Sequence, residues 1–257
     1  MIAEKRFTAV ALAGGTLEPD FRRAGYDVVN KAYLRIGGVT MLERVLRALR
    51  ASNAVGAIRC VTQPEAYAAE FGHDSPLCDE VVAPGRDLID SLLAGFHGVP
   101  ESQMVLVAAT DIPLVTAAAL DAFGRRAAAL ECDLGYGCIR QEPHVAALPQ
   151  IRHTWVRLIE GTFCGAGVSV VRAGAAARVA TILRDFAAAR KSPLRLASLF
   201  SPFLVVRVAF GRVGIAELEH RASELTGLRC RGIPCDEPEL GVNVDRLEDL
   251  REIERLM

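Results

Sequence analysis

The apolar run Val10-Ala11-Leu12-Ala13 ends in two glycines, Gly14 and Gly15. After a long polar loop a lysine, Lys31, returns just ahead of Leu34-Arg35-Ile36-Gly37-Gly38. Backbone without a Cβ approaches a polyphosphate closely and can aim N–H groups at it. A lysine brought back to the same place adds a point charge. Together they read as a grip on the phosphates of a nucleotide, with a plain tight turn as the alternative. The loop is not a Walker A motif, because no Gly-Lys-Ser/Thr follows. It also lacks the G-x-G-x-x-G of a dinucleotide site.

Two acidic positions add to this chemistry. Asp111 follows the apolar run Met104–Ala109 within Thr110-Asp111-Ile112-Pro113. A carboxylate there projects into the crevice at a strand's C-terminal end, where open α/β sheets bind ligands. Magnesium favours one or two carboxylates plus substrate phosphates, so Asp111 is a candidate ligand. The alternative is a cap on the turn before Pro113. Asp245 lies in Gly241-Val242-Asn243-Val244-Asp245-Arg246. If that segment is extended, Asn243 and Asp245 share one face. The alternative is a helix cap, with Glu248 completing a capping box on Asp245.

The elements that must position these residues alternate between strand and helix. Strands are expected over Phe7–Ala13, Ala57–Thr62, Glu80–Ala83 and Met104–Ala109. Helices are expected from a Thr40 cap with Glu43 three residues on, over Pro64–Phe71, over Leu88–Phe96, and from Thr116 to about Leu130. This alternation implies a mostly parallel, doubly wound sheet. Further on, strands are expected over Leu134–Ile139, Gly167–Arg172 and Leu228–Ile233. Helices are expected over roughly 175–190, Ile215–Leu225 and Arg246–Leu256. Gln141–Gly161 has no clean period, and periodicity alone leaves Phe203–Phe210 as a strand or a buried helical turn.

Composition excludes several classes. Half the residues are apolar and the net charge is −1, which argues against a nucleic-acid surface or a polybasic anchor. No apolar run reaches the ~18 residues of a membrane span. Met1–Arg6 leads into a strand rather than into a signal-peptide core. Phe200–Phe210 is too short to span and fits the core or a homodimer interface. The seven cysteines form no C-x-x-C, so neither a disulfide framework nor a zinc site is expected. They read as small buried residues in a reduced cytosol, and the expected location is cytoplasmic.

Taken in order, the motifs resemble the nucleotidyltransferase superfamily of molybdenum-cofactor guanylyltransferases and sugar-phosphate nucleotidyltransferases. Leu12–Gly15 match the family's L-A-G-G, and Lys31 to Leu42 match its lysine and following helix start. Asp111-Ile112-Pro113 match its D-x-P, and Asp245 to Leu250 its closing acidic segment. The resemblance implies a three-layer α/β/α fold with a mostly parallel, Rossmann-like mixed sheet, of the nucleotide-diphospho-sugar transferase type. It implies a single domain over 1–257, with an acceptor-side insertion at roughly 141–165 and a helical one at roughly 186–226. The implied reaction moves a nucleoside monophosphate from an NTP to a phosphorylated small-molecule acceptor and releases pyrophosphate.

In that scheme Lys31, Asp111 and Asp245 are catalytic, and Asp111 and Asp245 hold Mg2+. Leu12, Ala13, Gly14, Gly15, Arg23, Lys31, Gly85, Ser91 and Asp111 contact the nucleotide. Many members carry arginine-methionine-glycine after the glycines. Here Thr16 to Arg23 stand instead, leaving Arg22 or Arg23 for that arginine's role. Arg157 to Gly167 and Lys191 to Arg195 are similar to acceptor-side segments of an uncharacterised subgroup. Two other readings stay open. One is a nucleotide-binding regulatory module without turnover. The other is a glycosyltransferase of related fold, although Ile112-Pro113 after Asp111 leaves no D-x-D metal motif.

Overall fold

The computed structural model describes residues 7–189 and 202–257. Met1–Arg6 and the Lys191 to Arg195 segment lie outside the described residues. Apolar runs with valine and alanine on alternate faces build the centre of one sheet. Its strands are β1 (Phe7–Leu12), β4 (Val55–Val61), β5 (Glu80–Val82), β6 (Met104–Ala109), β7 (Leu134–Arg140), β9 (Gly161–Arg172) and β10 (Cys230–Cys235). The order is β10-β7-β9-β6-β1-β4-β5, and β8 (Val156–Leu158) pairs with β9 outside this path. β1 pairs in parallel with both β4 and β6, β4 with β5, and β7 with β10. β9 alone of the seven runs antiparallel to its neighbours, β6 and β7. A two-stranded hairpin, β2 (Arg35–Ile36) and β3 (Val39–Thr40), stands apart.

Side-chain alternation divides the interior into two layers. On one face Ala9, Ala11, Ile58, Leu106 and Val170 pack with the helices α2 (Met41–Ala51) and α5 (Ala117–Ala128). On the other, Val10, Val61, Val105, Val107 and Val171 pack against α4 (Leu88–Phe96) and α7 (Ala176–Ala189). The chain thus has the α/β architecture expected, a three-layer fold around a mixed, mostly parallel sheet. Thr40 caps α2 by accepting from the Glu43 amide at 3.1 Å, as its sequence position predicts. A third cluster joins distant parts of the chain: Leu17, Phe21, Leu34, Ile36 and Met41 pack with Val242, Val244, Leu250 and Ile253. It seats α1 (Pro19–Arg23) and the Lys31 turn against the final helix, α10 (Leu247–Leu256).

Two sequence expectations take a different form. The 141–165 stretch holds α6 (Gln141–Ala147), β8 and the start of a β9 that is longer than Gly167–Arg172. Phe203–Phe210 takes the helical alternative rather than the strand, but only part of it is buried: Pro202–Ala209 is helix α8, with Leu204 buried and Phe203 and Phe210 both 71% exposed. Helix α9 (Ile215–Thr226) follows it. Among the described residues no helix is long and apolar enough to cross a membrane.

Candidate active site

The glycine loop leaves the C-terminal end of β1, and its carbonyls are held from three directions. Thr110 Oγ1 donates to Leu12 O at 2.7 Å. Asn30 Nδ2 donates to Ala13 O at 2.8 Å, and Gln63 Nε2 to Gly15 O at 3.4 Å. The amides of Gly14 and Gly15 meet no acceptor among the described residues. Carbonyls turned into protein with amides left over is the polarity an anion cradle needs. Gly15 has φ +98, a conformation L side chains rarely adopt.

Asn30 also shapes the lysine turn. Its Oδ1 accepts from the Ala32 amide at 2.9 Å, which caps the short turn Lys31–Tyr33. Lys31 Nζ then lies 2.6 Å from Asp111 Oδ2, 3.1 Å from Asp245 Oδ1 and 3.2 Å from Val244 O. Glu18 stands farther off at 3.9 Å. Burial works against the ammonium ion, but Asp111 and Asp245 outweigh it and hold the Lys31 pKa above its ordinary value. The two acids differ in setting: the Asp111 side chain is 13% exposed and that of Asp245 71%. Asn243 Nδ2 lies 3.4 Å from Asp111 Oδ1, and the Val244 amide donates to Asp111 O at 2.9 Å. The sequence pattern placed Asn243 on the face of Asp245 but gave it no role.

The capping alternative for Asp245 takes another form. Asp249, not Glu248, accepts from the amides of Asp245 and Arg246, at 3.0 and 2.7 Å. Asp249 therefore does the capping, and the Asp245 carboxylate is left to face Lys31.

The other expected contacts fall around this centre unevenly. Gly14 lies against Ser91: a Cβ added there would sit 3.1 Å from Ser91 Oγ. Ser91 Oγ accepts from the Gly85 amide at 3.0 Å and donates to Asp87 O at 2.7 Å. A Cβ on Gly85 would meet Asp90 Cβ at 2.3 Å, so this turn admits no larger residue without moving α4. Arg22 Nε turns back to Leu17 O at 3.2 Å. Arg23 is exposed and makes no ion pair among the described residues. Asn30, Gln63 and Thr110 are the supports that sequence reasoning missed. Their signal was positional, since Thr110 and Gln63 follow closely on strand ends and Asn30 precedes the lysine.

The donor set suits a hard divalent cation. Asp111 and Asp245 both lie within 3.1 Å of one ammonium nitrogen, so a cation between them would meet oxygen from each. Among the described residues no group of three or more His, Cys, Asp or Glu side chains forms a closed metal cage. An open two-carboxylate arrangement is how magnesium is usually held beside phosphates.

Beside Asn243 and Asp245 opens a polar cavity of about 1040 Å³. Arg152, His153, Tyr136 and Arg246 line it. Burial, with His144 beside it, lowers the His153 pKa to about 4 and keeps the ring neutral at pH 7.

A family model described as a MobA-like NTP transferase domain matches residues 9–191. The chain belongs to that family. The MobA-like match takes in Gly14, Gly15, Lys31 and Asp111, whereas Asn243 and Asp245 lie beyond it. A hypothetical transferase from Thermus thermophilus is similar over nearly the whole length. It has 32% identity and a TM-score of 0.81, covering 95% of this chain and 99% of that one. A 4-diphosphocytidyl-2C-methyl-D-erythritol synthase shares the fold at 17% identity and TM-score 0.55, over 98% of this chain and 99% of that one. A CMP:2-keto-3-deoxy-manno-octonic acid synthetase complexed with CTP shares it at 14% identity and TM-score 0.56, over 98% of each chain.

Proposed function

We propose that this MobA-like protein moves a nucleoside monophosphate from an NTP to a phosphorylated small-molecule acceptor. An acceptor phosphate oxygen attacks the α-phosphorus; that P–O bond forms as the bond to the β-phosphate bridging oxygen breaks, and pyrophosphate leaves. The observation that carries this reading is Lys31 held between Asp111 and Asp245, with the unengaged Gly14 and Gly15 amides on the neighbouring loop.

The acceptor is already ionised, so no strong base is required. The residues' work is positioning and charge neutralisation. Asp111 and Asp245 would hold Mg2+, which supplies positive charge to bring two anions together and to stabilise the departing pyrophosphate. Lys31 and the loop amides face the charge that grows on the leaving oxygen. Two unit charges ~4 Å apart interact by ~4 kcal/mol at an effective dielectric of ~20, so these cations and dipoles are needed. The polar cavity beside Asp245 would seat the acceptor, with Arg152 and Arg246 toward its phosphate. Ser91 and Gly85 would border the nucleoside.

The reading predicts that Asp111→Asn abolishes pyrophosphate release while the far-UV circular dichroism stays unchanged. Full turnover in that variant, or in excess EDTA, overturns the metal assignment. A thermal-shift panel of the four NTPs with magnesium selects the base. Binding without pyrophosphate release across an acceptor panel would favour a regulatory module, a reading to which the turned-back Arg22 lends weight.

A further inference from the structure

A second cavity, of about 720 Å³, lies against the same sheet on the side of α7. That is within the roughly 300–1,000 Å³ of small-ligand pockets. Leu134, Tyr136 and Cys138 reach it from β7, where alternate residues share a face. Val179 of α7, Leu204 of α8 and Leu218 of α9 supply other walls. The polar side chains at its border are already engaged within the protein. Glu219 Oε1 accepts from the Gly232 amide at 2.8 Å, and Arg231 Nη1 donates to Cys230 O at 2.9 Å. Thr226 Oγ1 donates to Ala222 O at 2.7 Å, and Arg221 Nη1 to Glu224 Oε2 at 3.1 Å. What is left facing the space is hydrocarbon. Water would find few partners there, so an apolar guest is the one that fits.

One side chain connects this cavity with the polar one beside Asp245. Tyr136 borders both. Its phenol lies over β9 at Gly165, where a Cβ would collide with the hydroxyl. That hydroxyl makes no hydrogen bond among the described residues, so it can donate to a ligand. Two spaces of opposite character therefore adjoin at one residue. Arg152 and Arg246 line the first, and aliphatic side chains the second.

We infer that the acceptor is a phosphate monoester of a hydrocarbon chain. Its phosphate sits in the polar cavity, its chain in the apolar one, and Tyr136 marks the junction. This rests on the transferase reading above and narrows its acceptor. The balance of the reaction is the same: a monoester oxygen bonds to the α-phosphorus, pyrophosphate leaves, and the product is a nucleoside diphosphate ester of the chain.

The test titrates the full-length protein calorimetrically with butyl, octyl and dodecyl phosphate, each below its micelle concentration. Each buried methylene is worth about fourfold in affinity, so octyl phosphate should bind roughly 10²-fold more tightly than butyl phosphate. Ala222→Trp, which fills the cavity, should erase that gain and leave the thermal shift with NTP and magnesium as in wild type. If that variant does not fold, octyl phosphate with a chain-end diazirine answers on the wild-type protein. Photolabels on α7 or α9 support the inference, and labels confined to other elements overturn it. Equal affinity along the series also overturns it. Pyrophosphate assays separate the two readings. Release with butyl phosphate as readily as with octyl phosphate overturns the cavity assignment and keeps the transferase. Chain-dependent binding with no release from any NTP keeps the cavity assignment and overturns the transferase.

Discussion

At the scale of single residues, Lys31 joins parts of the chain far apart in sequence. It is bonded to Asp111 and to Asp245, and its turn is capped by Asn30. On the proposed reaction, replacing it by methionine removes one positive charge from beside the phosphates. Pyrophosphate release should fall by roughly 10²–10³-fold, the usual cost of losing one transition-state donor. Steady-state turnover of Lys31→Met checks this, and a loss under tenfold would remove Lys31 from the chemistry. Much of this centre was legible in sequence because glycine, lysine and aspartate carry their chemistry in their type. Asn30, Gln63 and Thr110 were not, because a carbonyl-holding amide or hydroxyl looks like any other polar loop residue.

Among the elements, Asp133 makes the clearest joint. It stands just before β7 and accepts from Arg229 Nε at 3.2 Å and from Arg172 Nε at 2.9 Å, drawing β9 and β10 to β7. Hydrogen bonds from Arg229, opposed by slight burial, hold its carboxyl well below the usual range. A folded pKa lowered this way gives stability that is present above the unfolded value near ~4. That stability is lost as pH falls toward the folded value. Asp133→Asn should cost about 1–2 kcal/mol at pH 7, because the joint is partly open to solvent. The gap from wild type should shrink below about pH 4; urea titrations at pH 7 and pH 3 measure both. Strand directions were harder to read than strands. Gly167–Arg172 was legible as apolar, but no periodicity says that β9 runs against β6. Its first half, with Gly161, Gly165 and Ala166, offers too little side chain to mark a strand. For Phe203–Phe210 the deciding signal was Pro202 in the first turn, which favours a helix start.

Over the whole molecule, the sheet order sets where the chain is hardest to open. β1 and β6 are bordered by strands on both sides, while β5 and β8 lie at its margins. Native-state hydrogen exchange should find the amides of Val10 and Leu106 among the slowest, and those of Val81 and Arg157 faster by tenfold or more. Equal protection would mean that the margins open only with the centre. The overall architecture was legible because alternating buried strands and amphipathic helices allow few arrangements. How the two ends of the chain meet was not, because that closure rests on the small cluster of Leu17, Phe21 and Leu34 with Val244, Leu250 and Ile253. This closure carries a consequence for biosynthesis. Translation delivers the glycine loop, Lys31 and Asp111 more than a hundred residues before Asp245 and the helix that seats it. A nascent chain stalled before residue 245 would carry its lysine with one counter-charge missing. On the proposed reaction, competence should therefore wait until the Leu247–Leu256 helix has cleared the ribosome.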